Sequence, residues 1–170
     1  YGAHALLHRS ALLWRVHAVH HSDVDFDCTT GFRFHPLEAL YSSTVMLLVI
    51  AGAGIPPAAV ALYTTWLGLQ NLYGHANARL GAALDTALRW LVVTPDMHRV
   101  HHSAQSDESN RNFGIVFPWW DRLFGTYRAT PRHGHEGMPI GLGWRRHEGG
   151  LPELLLLPAD TRVSGAPEPG

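Results

Sequence analysis

ALYSSTVMLLVIAGAGIPPAAVALYTTWLGLQNLYG, residues 39–74, decides the fold: it contains no Asp, Glu, Lys or Arg. One bilayer span needs about 20 apolar residues, and this run is well beyond that. It is interrupted by Gly52-Ala53-Gly54-Ile55-Pro56-Pro57, a strong helix breaker. The reading is a helical hairpin with legs of roughly 16–18 residues, or about 24–27 Å at 1.5 Å per residue. Such legs are slightly short for a hydrocarbon core of about 30 Å. The alternative is a buried hairpin in a soluble bundle. The uncharged length favours a transmembrane or re-entrant hairpin, and an all-α membrane bundle around it.

Two crossings return a chain to the side it started from. Segments before Ala39 and after Gly74 then lie on one face of the membrane and can meet. Arg9, Arg15, Arg33, Arg79, Arg89 and Arg99 flank the hairpin on that side. Arginine-rich flanks favour the cytoplasmic face. The single cysteine, Cys28, excludes an internal disulfide and any CxxC zinc site, and agrees with a reducing compartment.

Histidine dominates the flanks. Eight of the 13 histidines fall in three clusters. His4 and His8 form an HxxxH; His17, His20 and His21 form an HxxHH; His98, His101 and His102 form a second HxxHH. Spacings of three or four place side chains on one helical face, about 5–6 Å apart at Cβ, where imidazoles can share a metal. Eight imidazoles are too many for one structural zinc. They suit two metal ions with four ligands each, leaving positions open for oxygen or water. Neutral ligands leave metal charge uncompensated, which favours an anionic oxygen species and dioxygen activation. A two-zinc hydrolase is the rival, but its carboxylates are missing from the clusters. Asp23 and Asp96 are the nearest acids and are candidates for orienting ligand N–H groups instead. Asp23, Asp25 and Asp27 open like a calcium loop, yet Cys28 and Phe34 occupy its glycine and glutamate positions. HExxH is absent.

The rest is coarser. A helix is expected from Tyr1 to about Val19, a loop over 22–31, a helix from His35-Pro36, another over 80–93 with Asp85 and Arg89 at i,i+4, and a short interfacial helix within 113–127. Trp119 and Trp120 read as interface aromatics. Arg99 and Arg122 read as solvated or salt-bridged. His133, His135 and His147 sit in a Gly-rich stretch and are expected to bind nothing specific. The chain divides into a catalytic domain over 1–158 and a flexible tail over 159–170. It opens at Tyr1 with a ligand three residues on, which suggests helices upstream of this segment. Net charge is −1, so no nucleic-acid surface is indicated.

Taken together, these motifs resemble the fatty acid hydroxylase/sterol desaturase superfamily of integral-membrane enzymes. The segments that carry the resemblance are Leu13 to Asp23, Arg33-Phe34-His35-Pro36, Gly74-His75-Ala76-Asn77, Thr94 to Ser103, Asn112-Phe113-Gly114 and Trp120 to Thr126. The resemblance implies a di-iron monooxygenase that uses O2 and two external electrons to hydroxylate or desaturate a lipid. It implies His4, His8, His17, His20, His21, His98, His101 and His102 as ligands, with His75 as a ninth. Arg79 occupies the place of a tenth ligand found in some members. His35, Asn77, Asp23 and Asp96 are candidate outer partners of the ligands. An electron-donating small redox protein and its reductase are implied partners. A non-catalytic metal-binding membrane protein is the third reading.

Overall fold

The computed structural model describes residues 1–145 and 147–163. Among them are ten α-helices, three 3₁₀ turns and no strand beyond an isolated bridge between Ser103 and Ile140. The expected first helix is two helices, α1 (Gly2–Arg9) and α2 (Ala11–His17). Ser10 breaks them: it is extended at φ −92°, ψ 119°, and its hydroxyl accepts from Leu13 N–H as the cap of α2. A 3₁₀ turn over His20–Ser22 and another over Thr30–Phe32 follow.

Helices α3 (Pro36–Ala53) and α4 (Pro57–Gly74) form the hairpin, each of 18 residues. The His35 ring caps α3, and Pro36 takes the first turn, where its missing N–H costs nothing. At the far end Gly54 adopts φ +61°, a left-handed cap that ends the helix before Pro56-Pro57 starts the next. Among the described residues, α3 alone is long and apolar enough to cross a membrane by length and composition. The hairpin's polarity is inverted. Its buried side chains include Glu38 and Gln70, whereas Leu47, Leu48, Leu62, Trp66 and Leu69 are exposed.

The remaining helices are short: α5 (Ala82–Leu88), α6 (Pro95–His101), α7 (Ser106–Ser109), α8 (Trp119–Leu123), α9 (Gly134–Gly137) and α10 (Leu151–Leu156). α5 is shorter than the segment expected over 80–93. Its Asp85 accepts from the Thr94 hydroxyl at 2.6 Å and pairs with Arg89, and Thr94 in turn caps α6. α1 packs on α2, α2 on α3, and α4 on α6, so both histidine-bearing ends meet at the hairpin base. A small apolar core of Trp14, Ala18, Val19, Leu142, Leu157 and Val163 lies beside that junction. Of the expected tail, residues 159–163 are described. Val163 is buried in this core, and Arg15 donates to the carbonyls of Pro158 and Asp160. Residues 164–170 lie outside the described part.

Candidate metal centre

The interior is built from imidazole. His8, His17, His21, His101 and His102 are among the largest side chains fully removed from solvent, alongside Phe26, Phe113 and Met97. Nine histidines assemble into two groups whose ligand atoms lie within 4.8 Å of one another. The first is His4, His8, His17, His21 and His101; the second is His20, His75, His98 and His102. The equal split of four and four anticipated for eight clustered histidines is therefore replaced by five and four, with His75 completing the second group.

Helical geometry explains how each box divides. Residues i and i+4 lie about 40° apart around a helix, and adjacent residues about 100° apart. In the first HxxHH, His17 and His21 serve the five-histidine group and His20 turns to the other. In the second HxxHH the assignment is crossed: His98 and His102 serve the four-histidine group and His101 the five. Each box thus straddles both groups and ties them together.

The outward ring nitrogens fix the rings. Nδ1–H donates from His4 to Phe113 O at 2.8 Å, from His101 to Arg111 O at 2.8 Å, and from His75 to Asn71 O at 2.8 Å. His20 Nδ1 donates to Arg33 O at 3.3 Å, and His17 Nδ1 to Glu38 Oε1 at 2.7 Å. Carbonyl and carboxylate oxygens only accept, so each of these Nδ1 atoms carries the proton and each Nε2 presents a lone pair. Those Nε2 atoms converge. His4 meets His17 at 3.2 Å and His101 at 3.1 Å, while His75 meets His20 at 3.3 Å, His102 at 3.2 Å and His98 at 3.0 Å. Lone pairs of the fixed rings facing at hydrogen-bond distance have no proton between them. A shared cation resolves the arrangement. Both nitrogens of His8 and the Nε2 of His21 are also buried without a hydrogen-bond partner, as a ligand position requires. The residues present therefore fit two metal ions.

Protonation agrees. Burial, reinforced by neighbouring imidazoles, holds His4, His8, His20, His21, His98 and His102 well below the ordinary imidazole value. Burial also lowers His75 to about 4 and His101 to about 3, against the opposing pull of their carbonyl partners. Neutral imidazole is the form that ligates. Among the described residues no carboxylate joins either group.

Supporting segments are held by close approaches. Asp121 accepts from Phe113 N–H and Gly114 N–H at 2.8 Å each and from the Thr126 hydroxyl at 2.7 Å, which fixes the carbonyl that receives His4. A Cβ on Gly114 would lie 2.6 Å from Phe117 O and 2.8 Å from Asp121 Oδ2, so only glycine fits there. Among the described residues, the two non-glycine residues with positive φ both border the centre. Asn112 (φ +55°) separates the carbonyls of Arg111 and Phe113, and Phe26 (φ +49°) packs against His75 and His102. Such backbone costs on the order of 1 kcal/mol and persists where packing imposes it.

The proposed outer partners divide. Asp23 is buried, accepts from the Thr30 hydroxyl at 2.6 Å, and steadies the loop whose Arg33 carbonyl receives His20. His35 accepts from Leu37 N–H and contacts Leu155 O, so it serves as a helix cap. Asn77 accepts from Arg99, and Asp96 lies 3.9 Å from His135. Arg79 pairs with Glu136 at the surface. Neither His133, His135 nor His147 belongs to either group, and His147 pairs with Glu153. Arg122 is half-buried and makes no ion pair among the described residues: its guanidinium lies 3.9 Å from the ring centroids of both Trp90 and Tyr127 and donates to Arg89 O. Glu38 escaped the sequence reading. Its signal was available as the last charge before the uncharged run, in the first turn of α3.

Comparison with known proteins follows the same outline. Residues 1–126 match the family model described as fatty acid hydroxylase. The ornithine lipid hydroxylase OlsE of Rhizobium tropici is 32% identical over 157 residues, which cover 91% of this chain and 45% of that protein. The alkylglycerol monooxygenase of Homo sapiens is 30% identical over 131 residues, covering 76% and 28%. The very-long-chain aldehyde decarbonylase GL1-1 of Oryza sativa subsp. indica is 33% identical over 138 residues, covering 76% and 22%. The chain therefore spans less than half the length of these relatives. No solved structure matches. With its histidine boxes and downstream loop both inside the matched region, the chain belongs to the fatty acid hydroxylase family.

Proposed function

We propose that this chain is the catalytic core of an O2-dependent di-iron oxidoreductase that hydroxylates, or desaturates, an aliphatic position of a membrane lipid. The observation that carries this reading is the convergence of nine imidazoles into two carboxylate-free groups in a member of this family. The ligands would be His4, His8, His17, His21 and His101 for one iron and His20, His75, His98 and His102 for the other. When bound, the iron pair supplies dioxygen activation and one-electron chemistry, which no side chain offers.

The protein's own residues do three things. Their Nδ1 bonds aim five rings inward. Phe26 and Phe113 pack on the rings and shield the centre from water. The hairpin brings the lipid. α3 and α4 present leucines outward along 18 residues each, about 27 Å; at their base Glu38 reaches the centre through His17 and Gln70 donates to Val93 O. In a bilayer this arrangement sets an acyl chain beside the irons. Exposed Trp90, Trp119 and Trp120 would sit at the headgroup level, and the arginines at the base would face the cytoplasm. Electrons come from a separate redox protein and its reductase. Lipid is also the substrate class in the names of two relatives, an ornithine lipid hydroxylase and an alkylglycerol monooxygenase.

The test is turnover in vesicles. The iron-loaded protein, given lipid extract, a reductant and O2, is expected to yield a lipid that has gained one oxygen atom or lost two hydrogens. The product should be absent under nitrogen. Turnover without O2 in a zinc-loaded protein would instead establish the hydrolase.

A further inference from the structure

Among the described residues Glu38 is the one carboxylate that hydrogen-bonds a histidine of the centre, and its environment is unusual. It is 3% exposed. Its Oε1 accepts from His17 Nδ1 at 2.7 Å, and its Oε2 is buried with no hydrogen-bond partner. Among the described residues its only ion-pair partner is His17. A buried carboxylate without a compensating charge is costly. A neutral imidazole does not compensate it, but a metal behind that imidazole does. The first turn of α3 adds a smaller favourable field, since an N-terminal turn stabilises negative charge.

The other rings with Nδ1 partners donate to backbone carbonyls, which carry no net charge. Among the described residues, the five-histidine group alone therefore receives an anion through one of its ligands. A carboxylate on Nδ1–H raises the basicity of the opposite nitrogen and fixes the ring. We propose that Glu38 is a positioning residue that adds a charge to the difference between the five- and four-histidine positions: acting through His17, it strengthens the five-histidine site and leaves the four-histidine site unchanged. This rests on the two-metal reading above.

The variant Glu38→Gln separates charge from shape, because the amide oxygen can still accept from His17. Iron-loaded protein is challenged with a chelator and release is followed in time. In Glu38→Gln, one of the two irons is expected to be held about 10–100-fold more weakly, while the other leaves at the original rate. X-ray absorption of the iron that remains should report four imidazoles. Glu38→Asp, which retains the charge, should keep both irons closer to the original behaviour. Release of both irons at the original rate in Glu38→Gln, or equal acceleration of both, would overturn the proposal. Should Glu38→Gln not fold by circular dichroism, Glu38→Asp loaded with ⁵⁷Fe provides the decision. A small change in one of the two Mössbauer doublets relative to the unaltered protein, with the other unmoved, supports the proposal; both unmoved, or both changed equally, overturns it. Unaltered protein that binds no metal would sink the two-metal reading itself, and this inference with it.

Discussion

The hairpin and the metal centre invert each other. Along α3 and α4, Leu47, Leu48, Leu62 and Leu69 face outward while Glu38 and Gln70 are buried. At the centre the buried volume is imidazole, and the side chains that close it, Phe26 and Phe113, are apolar. The difference teaches that this sequence is written for two solvents. A polar interior is stable only where something satisfies it and an apolar exterior only where something covers it; in the function proposed above these are a cation and lipid. Each region supplies what the other needs: the hairpin ends carry partners to the centre, and the centre anchors the hairpin base. Gln70 donates to Val93 O at 2.6 Å, and Asn71 donates to Gly31 O at 2.6 Å while its own carbonyl holds His75.

The largest break should come at the centre. His8→Ala removes a ring with both nitrogens buried and unpartnered. It is expected to cost one iron per chain and to bring lipid oxidation to background, read by metal analysis and product mass spectrometry. Retained iron and activity would remove His8 from the ligand set.

A charge in the hairpin tests the other region. Leu47 is 62% exposed near the middle of α3. Leu47→Arg is expected to disfavour membrane insertion by about 3 kcal/mol, seen as a shift from the membrane fraction to aggregate. Unchanged partitioning would mean that α3 is not in contact with lipid.

The sequence made much of this legible, for physical reasons. Box spacing follows from helical periodicity, so the meeting of His4, His17 and His101 was readable once the hairpin returned the chain to its starting side. The split of five and four was not. It depends on the direction in which the adjacent pairs His20-His21 and His101-His102 fan out, which tertiary packing sets. Ser10 also hid its break, because a serine within an apolar-periodic stretch reads equally as a helical residue or a cap. Glu38 was hidden by position: a first-turn acid has an ordinary role in stabilising a helix start, and nothing local announces that His17 is its partner. Asp121 stood inside a recognised motif, but its function, holding the Phe113 peptide, appears only in three dimensions.

A smaller effect sharpens the link between the centre and its frame. Gly114→Ala places a methyl against Phe117 O and Asp121 Oδ2. The expected destabilisation is about 1–3 kcal/mol, read as a lowered melting temperature with a weaker hold on iron. A melting temperature equal to that of the unaltered protein would show that the Asp121 loop yields freely.

Acid provides the gentlest test. The lowered histidines, His75 at about 4 and His101 at about 3, bind fewer protons in the folded state than in the unfolded state, where histidine titrates near 6.5. Their contribution is therefore fully present above about pH 6.5 and is lost as pH falls from there toward 4 and below. Metal-free protein should melt at lower temperature at about pH 5 than at about pH 7.5. Equal melting at both would mean that these rings are solvated.

The measurement that bears most directly on the central claim is metal content combined with iron X-ray absorption, on protein produced in membranes with iron available. Two irons per chain, imidazole ligation at both, and a resolved iron–iron vector are expected. One iron per chain, none, or two isolated irons with no vector between them would contradict it.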